Sequence, residues 1–123
     1  PDDKKVISMW DNGHALAYFT KRDMPMRSMP VNYSLMSYVN GMTVDESLSN
    51  SYFRNITNDY ILFISSRDLA KIGSVADKYS IKIDNNSLLN KIKNKLEIKT
   101  FIKSKDLSCK NVSYYLLEVR QDG

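Results

Sequence analysis

The 123-residue sequence predicts a single α/β or α+β domain, and three observations carry that expectation. An Asn-Gly pair stands between two apolar runs near the start. A continuous apolar run at residues 60–64 is followed by Leu69, Ile72, Ala76 and Tyr79 at helical spacing. After a second helical pattern, two more apolar stretches close the chain. Strand and helix patterns in this order predict a mixed sheet of roughly five or more strands with about two to four helices. The length suits one domain spanning residues 1–123, and 42% hydrophobic residues are enough for one core.

Val6, Ile7, Met9 and Trp10 precede Asp11, Asn12 and Gly13, and Ala15, Leu16, Tyr18 and Phe19 follow. Asn-Gly supplies the positive φ values of a tight turn, so residues 5–10 and 14–21 are expected to pair as an N-terminal β-hairpin. Pro25 and Pro30 lie among Met24, Met26 and Met29. Proline cannot donate to a ladder, which makes residues 23–30 an edge strand or an extended linker. Residues 31–39 fit a strand through Val31, Tyr33 and Leu35, and a helix through Val31, Leu35, Met36 and Val39; the period leaves both open, with helix favoured. Thr43 followed by Glu46 has the form of a capping box. It predicts a helix over 44–53 that buries Val44, Leu48 and Tyr52.

The run at 60–64 reads as a strand covered on both faces. Ser65 is placed to cap the next helix, with Asp68 near its positive end. Residues 80–84 alternate as a strand, so 60–84 is expected to form a βαβ unit with parallel strands. Asn85 and Asn86 make a turn, and Ser87 caps a helix in which Leu88, Leu89, Ile92 and Leu96 face inward. Lys91, Lys93 and Lys95 would then face water. Residues 97–103 and 112–120 are expected as strands joined by a polar loop containing Cys109.

Charge is uneven along the chain. Residues 78–110 hold nine lysines against Asp84, Glu97 and Asp106, while the remainder is slightly acidic within a net charge of +4. Lysine is a hydrated point charge suited to a solvated face or an anionic surface, whereas base-reading sites favour the planar fork of arginine. On the last strand Tyr114, Leu116 and Glu118 alternate with Tyr115, Leu117 and Val119, which gives no aromatic and basic face for nucleic acid. Apolar runs such as 60–64 and 114–117 fall far short of the ~18 residues that cross a bilayer.

Chemistry has little material to work with. His14 is the single histidine, and Cys109 the single cysteine. Neither a thiolate cage nor a histidine cluster for a metal can be assembled from them, and neither has a catalytic partner nearby in sequence. The four glycines, at 13, 41, 73 and 123, are too scattered for a phosphate loop. The carboxylates fall at caps, turns and strands. No catalytic residue, cofactor or metal is therefore expected, and the chain reads as non-enzymatic. It starts at Pro1 without an initiator methionine and stops just after an expected strand, which reads as a soluble domain cut from a longer membrane-anchored protein.

Residues 59–84 run as a charged start, a short apolar strand ending at two serines, an amphipathic helix, and then Lys78, Tyr79, Ser80, Ile81, Lys82, Ile83 and Asp84. This pattern resembles a segment of the actin-like cytoplasmic domains of inner-membrane platform proteins in type II secretion and type IV pilus systems, including the bundle-forming pilus member. The opening hairpin is similar to the first hairpin of such domains. The resemblance implies a partly actin-like fold and a non-enzymatic scaffold at the cytoplasmic face of the bacterial inner membrane. Its partners would be an assembly ATPase and a polytopic membrane protein. Actin-like ATPases carry an Asp-x-Gly turn followed by a hydroxyl or lysine; Asp11, Asn12 and Gly13 are followed here by His14 and Ala15, against nucleotide binding. The alternative is a periplasmic sensor or partner-binding domain. Expected partner-binding residues are Met24, Met26 and Met29 at an edge and Tyr114 and Leu116 on the last strand, if it closes the sheet. Lys91, Lys93 and Lys95 would meet a partner or an anionic membrane surface.

Overall fold

The computed structural model describes residues 4–9 and 29–121. Its elements are β1 (Lys5–Ser8), β2 (Met29–Pro30), α1 (Leu35–Thr43), α2 (Glu46–Arg54), β3 (Tyr60–Ser65), α3 (Ser66–Lys78), α4 (Leu88–Lys93), β4 (Phe101–Cys109) and β5 (Val112–Val119). Among the described residues the sheet order is β2-β1-β3-β5-β4. β1 is parallel to β2 and β3, whereas β5 is antiparallel to β3 and β4, so the architecture is mixed α/β. Four strands carry the sheet and β2 adds only two residues at one end. Five full strands are not reached, because residues 81–84 stay out of the sheet.

The end of α3 explains that difference. Ser80 adopts a φ of 56°, and the Ile81 amide donates to the Ala76 carbonyl at 2.8 Å, the six-to-one bond of a left-handed helix terminus. The chain turns back over the helices, where the Asp84 amide donates to the Thr43 carbonyl at 2.9 Å and the Glu46 amide to the Asn86 carbonyl at 2.9 Å. Asp45 and Ser87 form an isolated antiparallel bridge. Residues 81–87 are thus tied to the α1–α2 corner. The parallel pairs of the sheet are β1 with β2 and β1 with β3, and the expected βαβ unit over 60–84 is not formed.

The start of α2 also differs. Thr43 is the last residue of α1, with its hydroxyl donating to the Val39 carbonyl at 2.9 Å. Asp45 is the cap, accepting from the Ser47 amide at 2.9 Å. Moving the cap rotates the buried face to Glu46, Ser49 and Phe53, leaving Leu48 at 53% and Tyr52 at 36% exposure. Phe53 then packs onto Gly41, where an added Cβ would lie 2.6 Å from the Phe53 ring. That glycine sets how closely α1 and α2 approach. Phe53 joins Tyr38, Tyr60 and Phe101 in an aromatic chain with centroids 5.7–6.5 Å from Phe53.

α3 follows its sequence reading closely. Ser65 and Asp68 form a reciprocal capping box, and Ile72 and Ala76 are fully buried; Tyr79, beyond the last helical residue, is exposed. β3 is buried along its whole length. Ile7, Leu62, Ile64, Phe101 and Leu117 belong to the cluster shared with the helices. Val6, Ile61, Phe63, Val112, Tyr114 and Leu116 form a second buried cluster, since successive strand residues point to opposite faces. β4 and β5 are joined at Lys110 and Asn111, with φ of 51° and 66°, the two positive values of a type I′ hairpin. Cys109 therefore ends a strand and pairs with Val112; it does not sit in a polar loop. β5 lies between β3 and β4, so β4, not the last strand, ends the sheet. Of the expected N-terminal hairpin, residues 14–21 lie outside the described residues.

Candidate interaction groove

Lys91 is the residue that organises the groove. It lies on α4, the six-residue helix capped by Ser87, whose hydroxyl accepts from the Asn90 amide at 3.1 Å. Instead of facing water, Lys91 is 7% exposed and its ammonium donates to the buried Glu46 carboxylate. Glu46 also accepts from the Thr100 hydroxyl at 2.7 Å, the Thr100 amide at 2.9 Å and the Lys99 amide at 3.1 Å. Burial alone would raise the Glu46 carboxyl; the Lys91 ammonium and the Thr100 and Lys99 donors outweigh it and hold the group below the usual carboxylate value. One side chain thus joins α2, α4 and the segment leading into β4.

With Lys91 anchored, the chain reverses shortly after α4. Lys95 adopts a φ of 56° and the Leu96 amide donates to the Lys91 carbonyl at 2.8 Å, which ends α4 there. Leu96, expected to face inward, is turned out and 51% exposed. On the facing side, the Arg120 guanidinium Nε donates to the Lys99 carbonyl at 3.0 Å and the Arg120 amide to the Thr100 carbonyl at 3.0 Å. Between α4 with its exit loop and the β4–β5 surface lies a groove of about 580 Å³. Ile92, Ile98, Phe101 and Tyr115 give it apolar walls, with Leu96 and the 43% exposed Ile102 at the rim. Lys95, Lys103, Arg120 and Glu97 also line it, while Lys91 is neutralised by Glu46. The Lys103 ammonium lies 5.5 Å from the Tyr115 ring centroid, a cation–π arrangement.

Two other places gather polar groups. A smaller pocket of about 290 Å³ is lined by Lys4, Asn50, Arg54, Asp59 and Tyr60 among others. Its charges are mixed: Lys4 pairs with Glu118, and the Tyr60 hydroxyl donates to Asn50 Oδ1 at 2.6 Å. Burial raises the Tyr60 hydroxyl, with Arg54 pulling it back slightly. At the carboxyl ends of β1 and β3, the Tyr33 hydroxyl donates to the Ser8 carbonyl, and Asp68 accepts from the Ser65 amide at 2.8 Å. Burial first and the Asp68 charge second push the Tyr33 and Tyr38 hydroxyls up, so both stay protonated at neutral pH. Asp68 serves the capping box. Among the described residues no cluster of three or more His, Cys, Asp or Glu could hold a metal ion, and no helix is long and apolar enough to cross a membrane.

The residues expected from sequence to bind a partner are scattered. Met24, Met26 and His14 lie outside the described residues, and Met29 sits in β2 beside Lys5. Tyr114 and Leu116 are buried at 9% and 3% exposure in the second cluster, with Tyr114 stacked on Phe63. Lys93 is exposed on α4, and only Lys91 and Lys95 reach the groove. The groove residues that sequence reasoning missed are Leu96, Ile98, Ile102, Lys103, Tyr115 and Arg120. The available signal was Leu96, an apolar residue among lysines one turn past a short helix. In comparisons with protein-family models, curated proteins and solved structures, the chain matches none.

Proposed function

We propose that the chain is a protein-binding scaffold domain without chemistry of its own, and that it holds its partner in the groove between α4 and the β4–β5 surface. The observation that carries this reading is an apolar recess of about 580 Å³ with half-exposed Leu96 and Ile102 at its rim. Concave apolar surfaces framed by polar groups are the usual places for binding. The carboxylates with resolved roles support it: Glu46 and Asp68 are buried in structural networks, and Asp45 is occupied by Asn86 and Ser47. The narrower assignment, a platform domain of pilus assembly or type II secretion at the cytoplasmic face of the inner membrane, rests on the resemblance of residues 59–84. The first strand and the helix of that segment are present as β3 and α3, whereas residues 80–84 do not form its second strand.

The test is a double substitution, Leu96→Asp with Ile102→Asp, in the protein. Loss of the native complex with an unchanged circular-dichroism spectrum is the expected result. An unchanged complex would remove the groove from the account.

A further inference from the structure

Resting on that scaffold reading, we propose that the groove takes an acidic segment of a partner protein, with apolar anchors spaced between its carboxylates. The charge of the groove selects this occupant. Among the described residues, the exposed Lys95 and Arg120 line it as cations, with Lys103 beside the Tyr115 ring and Glu97 as the one acid. Glu46 does not add a second free acid, because Lys91 satisfies it inside the protein. A ligand carboxylate entering beside Lys95 and Arg120 meets cations that remain partly solvated, so its desolvation is small. Charge alone would give salt-sensitive, weakly specific attraction, and the apolar lining supplies the remainder. Ile98, Phe101 and Tyr115 line the same groove as these cations, so a segment carrying both apolar side chains and carboxylates matches the surface, whereas a uniform anion does not.

Other occupants fit less well. A second copy of the chain carries a net charge of +4, and the segment that forms most of the groove is its most basic part. Addition of a strand at the β4 edge meets a register irregularity between Lys103 and Lys105, and bulges and edge lysines oppose edge pairing. The groove face, not the strand edge, is therefore the docking surface.

The experiment is fluorescence anisotropy of labelled peptides with the whole domain. The probes are a Glu-Leu alternating peptide, its Gln-Leu and Lys-Leu counterparts, and a peptide of glutamate alone. The Glu-Leu peptide should bind at least about tenfold more tightly than each of the other three. Lys95→Glu with Arg120→Glu should weaken it by about tenfold or more, and so should Leu96→Ser with Ile102→Ser. Equal binding of the Gln-Leu or all-glutamate peptide, or no binding of any, overturns the proposal. So does concentration-dependent dimerisation of the domain that Leu96→Ser abolishes, which would mean that a second copy fills the groove. Crosslinking from position 96 in cells separates the two claims. Capture of a protein segment without acidic residues would leave the scaffold reading standing and refute the acidic occupant; capture of lipid or nucleic acid would refute both.

Discussion

Replacing Glu46 should be among the most damaging single changes in the domain, and the structure says by how much relative to its partner. Glu46→Ala leaves the Lys91 ammonium in a site where it is 7% exposed, and also strips the acceptor from the Thr100 hydroxyl and amide and the Lys99 amide. Removing one member of a buried pair costs about 3–5 kcal/mol. Lys91→Met is milder, at about 1–3 kcal/mol, because the carboxylate it leaves behind keeps the Thr100 and Lys99 donors. The double variant should cost less than the sum of the single changes, since the stranded charge is gone. Urea unfolding at pH 7 followed by circular dichroism measures all of these. Acid titration gives an independent arm. The Glu46 carboxyl is held below its unfolded value by Lys91 and the Thr100 and Lys99 donors, despite burial. Its contribution is therefore fully present above the unfolded value near ~4.3 and is lost as pH falls through the folded one. The drop in stability from pH 6 to pH 3 should be smaller in Glu46→Gln than in the unaltered domain. A cost below about 1 kcal/mol for Glu46→Ala, or a greater cost for Lys91→Met, would refute the reasoning.

Gly41→Ala should destabilise by about 1–3 kcal/mol, because the new methyl meets the buried Phe53 ring at 2.6 Å, whereas Gly73→Ala, with open space around it, should stabilise α3 by about 0.5–1 kcal/mol. Thermal melts of the two variants should move in opposite directions. Lys93→Glu should change stability by less than about 0.5 kcal/mol while Lys91→Glu, which places two carboxylates together in a buried site, abolishes folding at room temperature. Lys110→Gly should stabilise the β4–β5 hairpin by about 0.5–1 kcal/mol, by relieving a φ of 51°, read from denaturant midpoints.

Local signals were legible in the sequence where one residue type decides the outcome. Ser65 with Asp68, and Ser87, marked helix starts because a hydroxyl or carboxylate at that position satisfies free amides. The apolar run at the third strand was legible because a strand covered on both faces carries apolar residues without alternation. What failed was the ends of helices. α3 and α4 end at Lys78 and Lys93, and the chain reverses two residues on, at Ser80 and Lys95, which adopt positive φ where glycine is the usual marker, so nothing in composition announced the reversal. The error propagated: residues 80–84 read as a strand, and Leu96 as an inward face. The sequence reading puts the cap of α2 at Thr43 where the structure has Asp45, because both offer an oxygen, and the two-residue difference exchanges the buried and exposed faces. The groove was invisible for a further reason. It needs the pairing of β4 with β5 and the inward turn of Lys91, and both depend on contacts between residues distant in sequence.

The most direct measurement of the central claim is site-specific photo-crosslinking of the protein in cells, with the probe at position 96 and, as a control, at the exposed Ser51 on α2. The account predicts a protein adduct from position 96, mapped by mass spectrometry to a segment rich in both acidic and apolar residues, and none of that adduct from position 51. Adducts of equal yield from both positions, or none from position 96 in cells where the complex is assembled, would contradict it.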